Sequence, residues 1–121
     1  MKVVYVAGPY RDPRGEWYVL QNIREAEAVA LELWRAGYAV VCPHKNTALL
    51  GGACGGSEEV WLKGDLEIMR RCDFVVCTAR WQESEGAKAE VKQALLWDMA
   101  VYVWRDGRIG LLADLAEEAA S

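Results

Sequence analysis

The stretch VVYVAGP, Val3 to Pro9, decides the fold. Five nearly continuous apolar residues stopped by Gly8-Pro9 have the character of a short strand covered on both faces, the kind found inside parallel sheets. Working outward, the period changes from about Glu16 to Ala36. Val19, Ile23, Ala26, Ala30 and Leu33 recur at helical spacing, and Gly37 suits the stop. AVVC, Ala39 to Cys42, predicts a second strand ended by Pro43. Ser57 is placed to cap a helix running to about Arg71, with Glu58 and Glu59 in its first turn, favourable to the dipole. FVVC, Phe74 to Cys77, predicts a third strand, Ser84 to about Trp97 a helix, and AVYVW, Ala100 to Trp104, a fourth strand. RDGR, Arg105 to Arg108, predicts a turn, and Ile109 to Ala120 a last helix.

This β-α-β-α-β-α-β-α order has no repeat and no linker. It predicts an α/β fold: one doubly wound domain, Rossmann-like or flavodoxin-like, with helices on both faces of a parallel sheet. About four to five strands are expected, in the order 2-1-3-4 that right-handed crossovers favour. In such sheets the ligand crevice lies beyond the carboxyl ends of the strands, where the winding reverses, here between strands 1 and 3. The loops bordering it are GPYRDPRG, Gly8 to Gly15, and TARWQESEG, Thr78 to Gly86. The loop after strand 2, PHKNTALLGGACGG, is a candidate lid. Its Gly51, Gly52, Gly55 and Gly56 suit mobility, and its His44 and Asn46 are candidate substrate-binding residues.

The 121 residues are 53% hydrophobic and 26% charged, which fits a single domain with a real core. A net charge of -4 without any basic block disfavours a nucleic-acid polymer as partner. No apolar run approaches a membrane span, and the N-terminus lacks the layout of a signal peptide, so a cytoplasmic protein is expected. Cys42, Cys54, Cys72 and Cys77 form no CxxC pair and His44 is the single histidine. Buried free thiols are therefore expected, with no metal and no organic cofactor.

Certain residues break the structural pattern. Trp61, Ile68, Met69 and Cys72 share one helical stripe, and the position a turn beyond Trp61 belongs to Asp65. A carboxylate there is costly unless it is paired or faces a cavity. Leu62 and Leu66 offer a competing face on which Asp65 would be an ordinary surface acid. Glu90 lies at the edge of the stripe Ala87, Val91, Ala94 and Leu95. Helical side chains lean toward the N-terminus, so Glu90 is expected to reach over Gly86 and Ala87 into the crevice. A surface glutamate paired with a lysine is the blander alternative. Tyr5 lies mid-strand, either packed in the core or orienting a nearby carboxylate. Arg11, after the Gly8-Pro9-Tyr10 turn, and Ser84, at the start of a helix, are suited to holding an anion. AGPYR is not a dinucleotide fingerprint.

Taken in order, VYVAGPYR, WLKGDLEIMRRCDFVV and SEGAKAEVKQAL resemble the nucleoside 2-deoxyribosyltransferase superfamily, which includes the 2′-deoxynucleoside 5′-phosphate N-hydrolases. The match spans roughly Lys2 to Trp104. The resemblance implies cleavage of an N-glycosidic bond, with Glu90 as the nucleophile at C1′, Asp65 as the acid at the base and Tyr5 orienting Glu90. It further implies that Gly8, Pro9, Tyr10 and Arg11 hold a 5′-phosphate. Transferases of this group tend to carry aspartate six residues before the nucleophile, where Ser84 stands here; serine there suggests a nucleoside 5′-monophosphate. Base exchange between nucleosides is the first alternative, and a nucleotide sensor without catalysis is the second. A small-molecule nucleoside or nucleotide is thus the expected partner, along with a second copy of the chain in a homodimer or higher homo-oligomer. GGACGG and the pair Trp17-Tyr18 depart from the group's pattern.

Overall fold

The computed structural model describes residues 1–46 and 59–112, with the backbone alone at Asn46. Ser57 and Glu58, the glycine-rich stretch proposed as a lid and Cys54 lie outside the described residues, as do positions 113–121 of the expected last helix.

Five strands form one sheet in the order β2-β1-β3-β4-β5. They are β1 (Val3–Ala7), β2 (Ala39–Val41), β3 (Phe74–Cys77), β4 (Ala100–Arg105) and β5 (Arg108–Leu111). The first four run parallel, with Tyr5 facing Val41 in β2 and Val75 in β3. The period of two along β1 assigns its side chains to two cores. Val4 and Val6 meet Ala26, Val29, Ala30 and Leu33 of α1 (Glu16–Arg35) on one face. Tyr5 and Ala7 meet Met69 of α3 (Glu59–Arg70) and Ala87, Val91 and Ala94 of α4 (Glu85–Leu96) on the other. The sheet is therefore doubly wound, with the reversal between β1 and β3.

Helix α1 stops as Gly37 implies. Gly37 adopts φ +99°, its N–H bonds to Trp34 O at 3.1 Å, and Tyr38 N–H reaches back to Leu33 O at 3.2 Å. This is the Schellman arrangement that a glycine admits without a Cβ penalty. Pro43 does end β2, but it opens a single helical turn, α2 (Pro43–Asn46), rather than a plain loop.

Two expectations are corrected. Ile109 does not begin a helix: Arg108–Leu111 is a strand antiparallel to β4. Asp106 and Gly107 both take positive φ, 50° and 77°, and Arg105 pairs with Arg108. That is the two-residue hairpin turn for which Asp-Gly is favoured, and it folds the chain back along the sheet edge. Leu95 is not part of the buried face of α4 but is 53% exposed, since the inward stripe runs through Ala87, Val91 and Ala94.

Candidate active site

Tyr5, Asp65 and Glu90 come from three separate elements and meet on the α3/α4 face, toward the carboxyl end of β1. Tyr5 is fully buried, so its hydroxyl needs a partner, and it donates a hydrogen bond to Glu90 Oε2. Desolvation pushes the Glu90 carboxyl up to about 7; the Tyr5 hydrogen bond opposes this and the charge of Asp65 adds to it. Burial alone pushes Asp65 up to about 6. Burial also raises the Tyr5 phenol far above its ordinary value, with Glu90 and Asp65 contributing, so it stays a hydrogen-bond donor. Two carboxyls that repel each other bind protons as a pair, and near neutrality one proton is shared between them. The tyrosine bond favours ionised Glu90, but burial outweighs it, and Asp65 is the carboxyl that ionises at the lower pH.

Asp65 reaches this place because the stripe containing Met69 is the inward one: Met69 is fully buried while Leu62 is 53% exposed. Among the described residues no cation pairs with Asp65 or Glu90. Space over the first turn of α4 follows from Gly86, where an added Cβ would meet only Ser84 Oγ, at 3.7 Å. Ser84 caps α4, accepting the Ala87 N–H at 3.1 Å. Because the hydroxyl acts there as an acceptor, its own hydrogen remains to be directed elsewhere.

Gly8 permits the loop after β1 to lie against the end of β3, since a Cβ there would stand 2.5 Å from Thr78 Oγ1. The next residues are held by side chains that the sequence did not single out for that role. His44 is buried and its Nε2 faces Gly8 O at 3.2 Å and Pro9 O at 2.8 Å. Two carbonyls require a donor, so this nitrogen carries the proton. Desolvation holds the imidazole below its ordinary pKa and keeps it neutral. His44 is thus turned to the loop backbone, and Tyr10 meets its ring edge-on with centroids 5.6 Å apart. Asn22, also buried, donates to Tyr10 O at 3.1 Å. Its Oδ1 accepts from Arg80 Nη2 at 2.7 Å, and Arg80 is anchored on Glu25 at 2.6 Å. A polar Asn22 between Val19 and Ala26 on the inward stripe of α1 was the available signal for this network. Arg11 is exposed beyond the clamped carbonyls.

Trp17 and Tyr18 stack edge to face at 4.9 Å on α1, with the Arg14 guanidinium 3.8 Å from the Tyr18 ring. Among the described residues no group of three His, Cys, Asp or Glu side chains converges as a metal site. Cys42, Cys72 and Cys77 are free thiols, and burial pushes Cys77 up to about 12. No helix among them is long and apolar enough to cross a membrane. A hollow of about 600 Å³ lies at the outer edge of β2, bordered by Trp34, Val41 and Ile68, and another of about 470 Å³ lies along α4. Neither is lined by Tyr5, Asp65 or Glu90. The candidate site rests instead on the desolvated carboxyl pair, since neither hollow is lined by more than one carboxyl.

Fold and candidate site define an α/β protein carrying a buried carboxyl pair near the switch point of a mostly parallel sheet. The chain belongs to the family described as Domain of unknown function (DUF4406), whose pattern matches residues 2–103. No curated protein matches it. Among solved structures, the 2-deoxyribosyltransferase from the psychrotolerant bacterium Bacillus psychrosaccharolyticus is similar, with a TM-score of 0.59 and 22% identity over 84% of this chain and 70% of that one. At that identity the likeness is one of fold.

Proposed function

We propose that this protein is an enzyme that cleaves the N-glycosidic bond of a nucleoside or deoxynucleoside 5′-monophosphate and releases the free base. The observation that carries the reading is the Tyr5–Glu90–Asp65 group: one carboxyl oriented by a buried phenol beside a second, both raised by burial so that the pair binds a proton within about a unit of neutrality. The fold shared with a 2-deoxyribosyltransferase supports the same class of chemistry.

In the reactive form the pair holds one proton, on Asp65; ionised Glu90 attacks C1′ as the bond to the base breaks, and that proton goes to the departing base. Water then attacks C1′ of the glycosyl ester, its proton returns to the carboxyl pair, and Glu90 is freed with its charge restored. Splitting one hard displacement into two easier ones is the advantage of a covalent route. The loop from Gly8 to Arg11 and the hydroxyl of Ser84 hold the 5′-phosphate, whose binding energy positions C1′ over Glu90.

The test is incubation of the protein with a panel of deoxynucleoside and nucleoside 5′-monophosphates, with chromatography of the released base. Base release is expected from at least one, with a loss of about 10⁴-fold or more in Glu90→Ala. Turnover retained in that variant would remove Glu90 as nucleophile. Adding a second free base separates hydrolysis from transfer, since a transferase makes the exchanged product. Binding without base release would favour the sensor.

The exposed Leu31, Trp34, Leu95, Leu96 and Trp97 fit a homo-oligomer. Sedimentation is expected to show at least twice the 13.5 kDa of the chain. A monomer at tens of micromolar would rule this out.

A further inference from the structure

Three consecutive carbonyls of the loop after β1 are held by two buried side chains from different elements. Gly8 O and Pro9 O accept from His44 Nε2, and Tyr10 O accepts from Asn22 Nδ2. Every described peptide here is trans. In a trans peptide the N–H points opposite to the preceding C=O. Fixing the Pro9 carbonyl inward therefore turns the Tyr10 N–H outward, and fixing the Tyr10 carbonyl does the same for the Arg11 N–H. Pro9 contributes no N–H, so the donors begin where the loop turns past it. The result is a loop with its acceptors buried and its donors aimed outward, beside the exposed Arg11, which is the polarity an anion requires.

Neither clamp is a surface accident. Asn22 is held in its amide orientation by Arg80, which must donate to Oδ1 and so leaves Nδ2 for Tyr10 O. Arg80 is fixed in turn by two bonds to Glu25 Oε2, at 3.0 and 2.6 Å. On the other side, the two facing carbonyls fix which nitrogen of His44 carries the proton. We infer that His44 and the Asn22–Arg80 pair are positioning residues for the 5′-phosphate: they set the polarity of the Gly8–Arg11 loop and thereby the preference for a phosphorylated substrate. This rests on the function proposed above, and it adds residues that touch the loop rather than the ligand.

Two measurements test it. His44 is the single histidine, so its imidazole ¹⁵N signals are unambiguous. They are expected to show one neutral tautomer protonated at Nε2 at pH 7, and a tautomer mixture would overturn the clamp whatever the substrate. The second is the ratio of KM for a deoxynucleoside 5′-monophosphate to KM for its nucleoside, in His44→Leu, His44→Gln and Arg80→Met. In His44→Leu and Arg80→Met the ratio is expected to rise about tenfold, the scale of a misaligned binding group. His44→Gln, which keeps an N–H near the same point, recovers most of the loss. Should His44→Leu fail to fold, Arg80→Met carries the same prediction from the other clamp. Losses equal on both substrates would make these residues merely structural and overturn the inference while leaving the glycosidase reading intact. A wild-type protein that cleaves nucleosides as well as monophosphates would instead overturn the phosphate reading and the inference with it.

Discussion

Removing the Tyr5 hydroxyl takes away a hydrogen bond that favours ionised Glu90. In Tyr5→Phe the Glu90 pKa should climb above its present value of about 7, by on the order of one pH unit, the equivalent of a charged hydrogen bond's net worth. The nucleophile must be ionised, so the acidic limb of the pH–rate profile moves upward and turnover at neutral pH falls. An unshifted limb would separate Tyr5 from the chemistry. The basic limb belongs to the proton on the pair and reports its second apparent value. In the sequence, Glu90 and Asp65 were visible as acids at odds with apolar stripes. Their meeting was expected from the family resemblance alone and not from the pattern, because it depends on how α3 and α4 rotate against the sheet.

Helix α4 begins with a residue asked to do two things. Ser84 Oγ accepts the Ala87 N–H, and its own hydrogen is proposed to meet a phosphate. Ser84→Ala should cost about 1 kcal/mol of stability and weaken monophosphate turnover. Ser84→Asp keeps a good cap, so stability changes by only a few tenths of a kcal/mol, while like-charge repulsion lowers monophosphate kcat/KM by about tenfold or more. Thermal melts alongside kinetics check the pair; a fall in both together would leave Ser84 as a cap alone. At this scale most elements were legible from period and punctuation, since hydrophobic spacing and Gly37 act within a few residues. The hairpin after β4 was missed although Asp106-Gly107 signals it. The apolar content of Ile109, Leu111 and Leu112 suits helix and strand alike, and only pairing with Tyr102, Val103 and Trp104 decides for the strand. The loop after β1 looked like an anion holder, but its clamps come from α1, α2 and the turn at Arg80.

Across the whole molecule, Asp65 and Glu90 both have folded-state pKa values above their unfolded ones of 3.8 and 4.5. The folded chain therefore keeps protons that the unfolded chain releases. This contribution to stability is fully present below the unfolded values, is lost as pH rises through about 6 and about 7, and stays lost above. The lowered carboxyls of Asp12, Glu27 and Glu67 act in the opposite sense; Glu27 and Glu67 are about half exposed, where screening weakens them. Glu90→Gln should stabilise the protein at pH 8 by on the order of 1–3 kcal/mol and change little near pH 4.5. Urea unfolding at the two pH values checks this, and an equal change at both would mean that Glu90 is not desolvated. A carboxyl held at such cost fits a site more than a scaffold. The four parallel strands, most helices and the winding of the sheet could be read from the chain alone, because these follow from local periodicity and from the handedness of crossovers. Beyond the family resemblance, the geometry came from the folded chain: Tyr5 bonds Glu90, Asp65 is close enough to raise it, and His44 and Asn22 hold one loop from two sides. Those relations join residues up to 85 positions apart, and desolvation is a property of what surrounds a charge rather than of the charge's own neighbours in the chain.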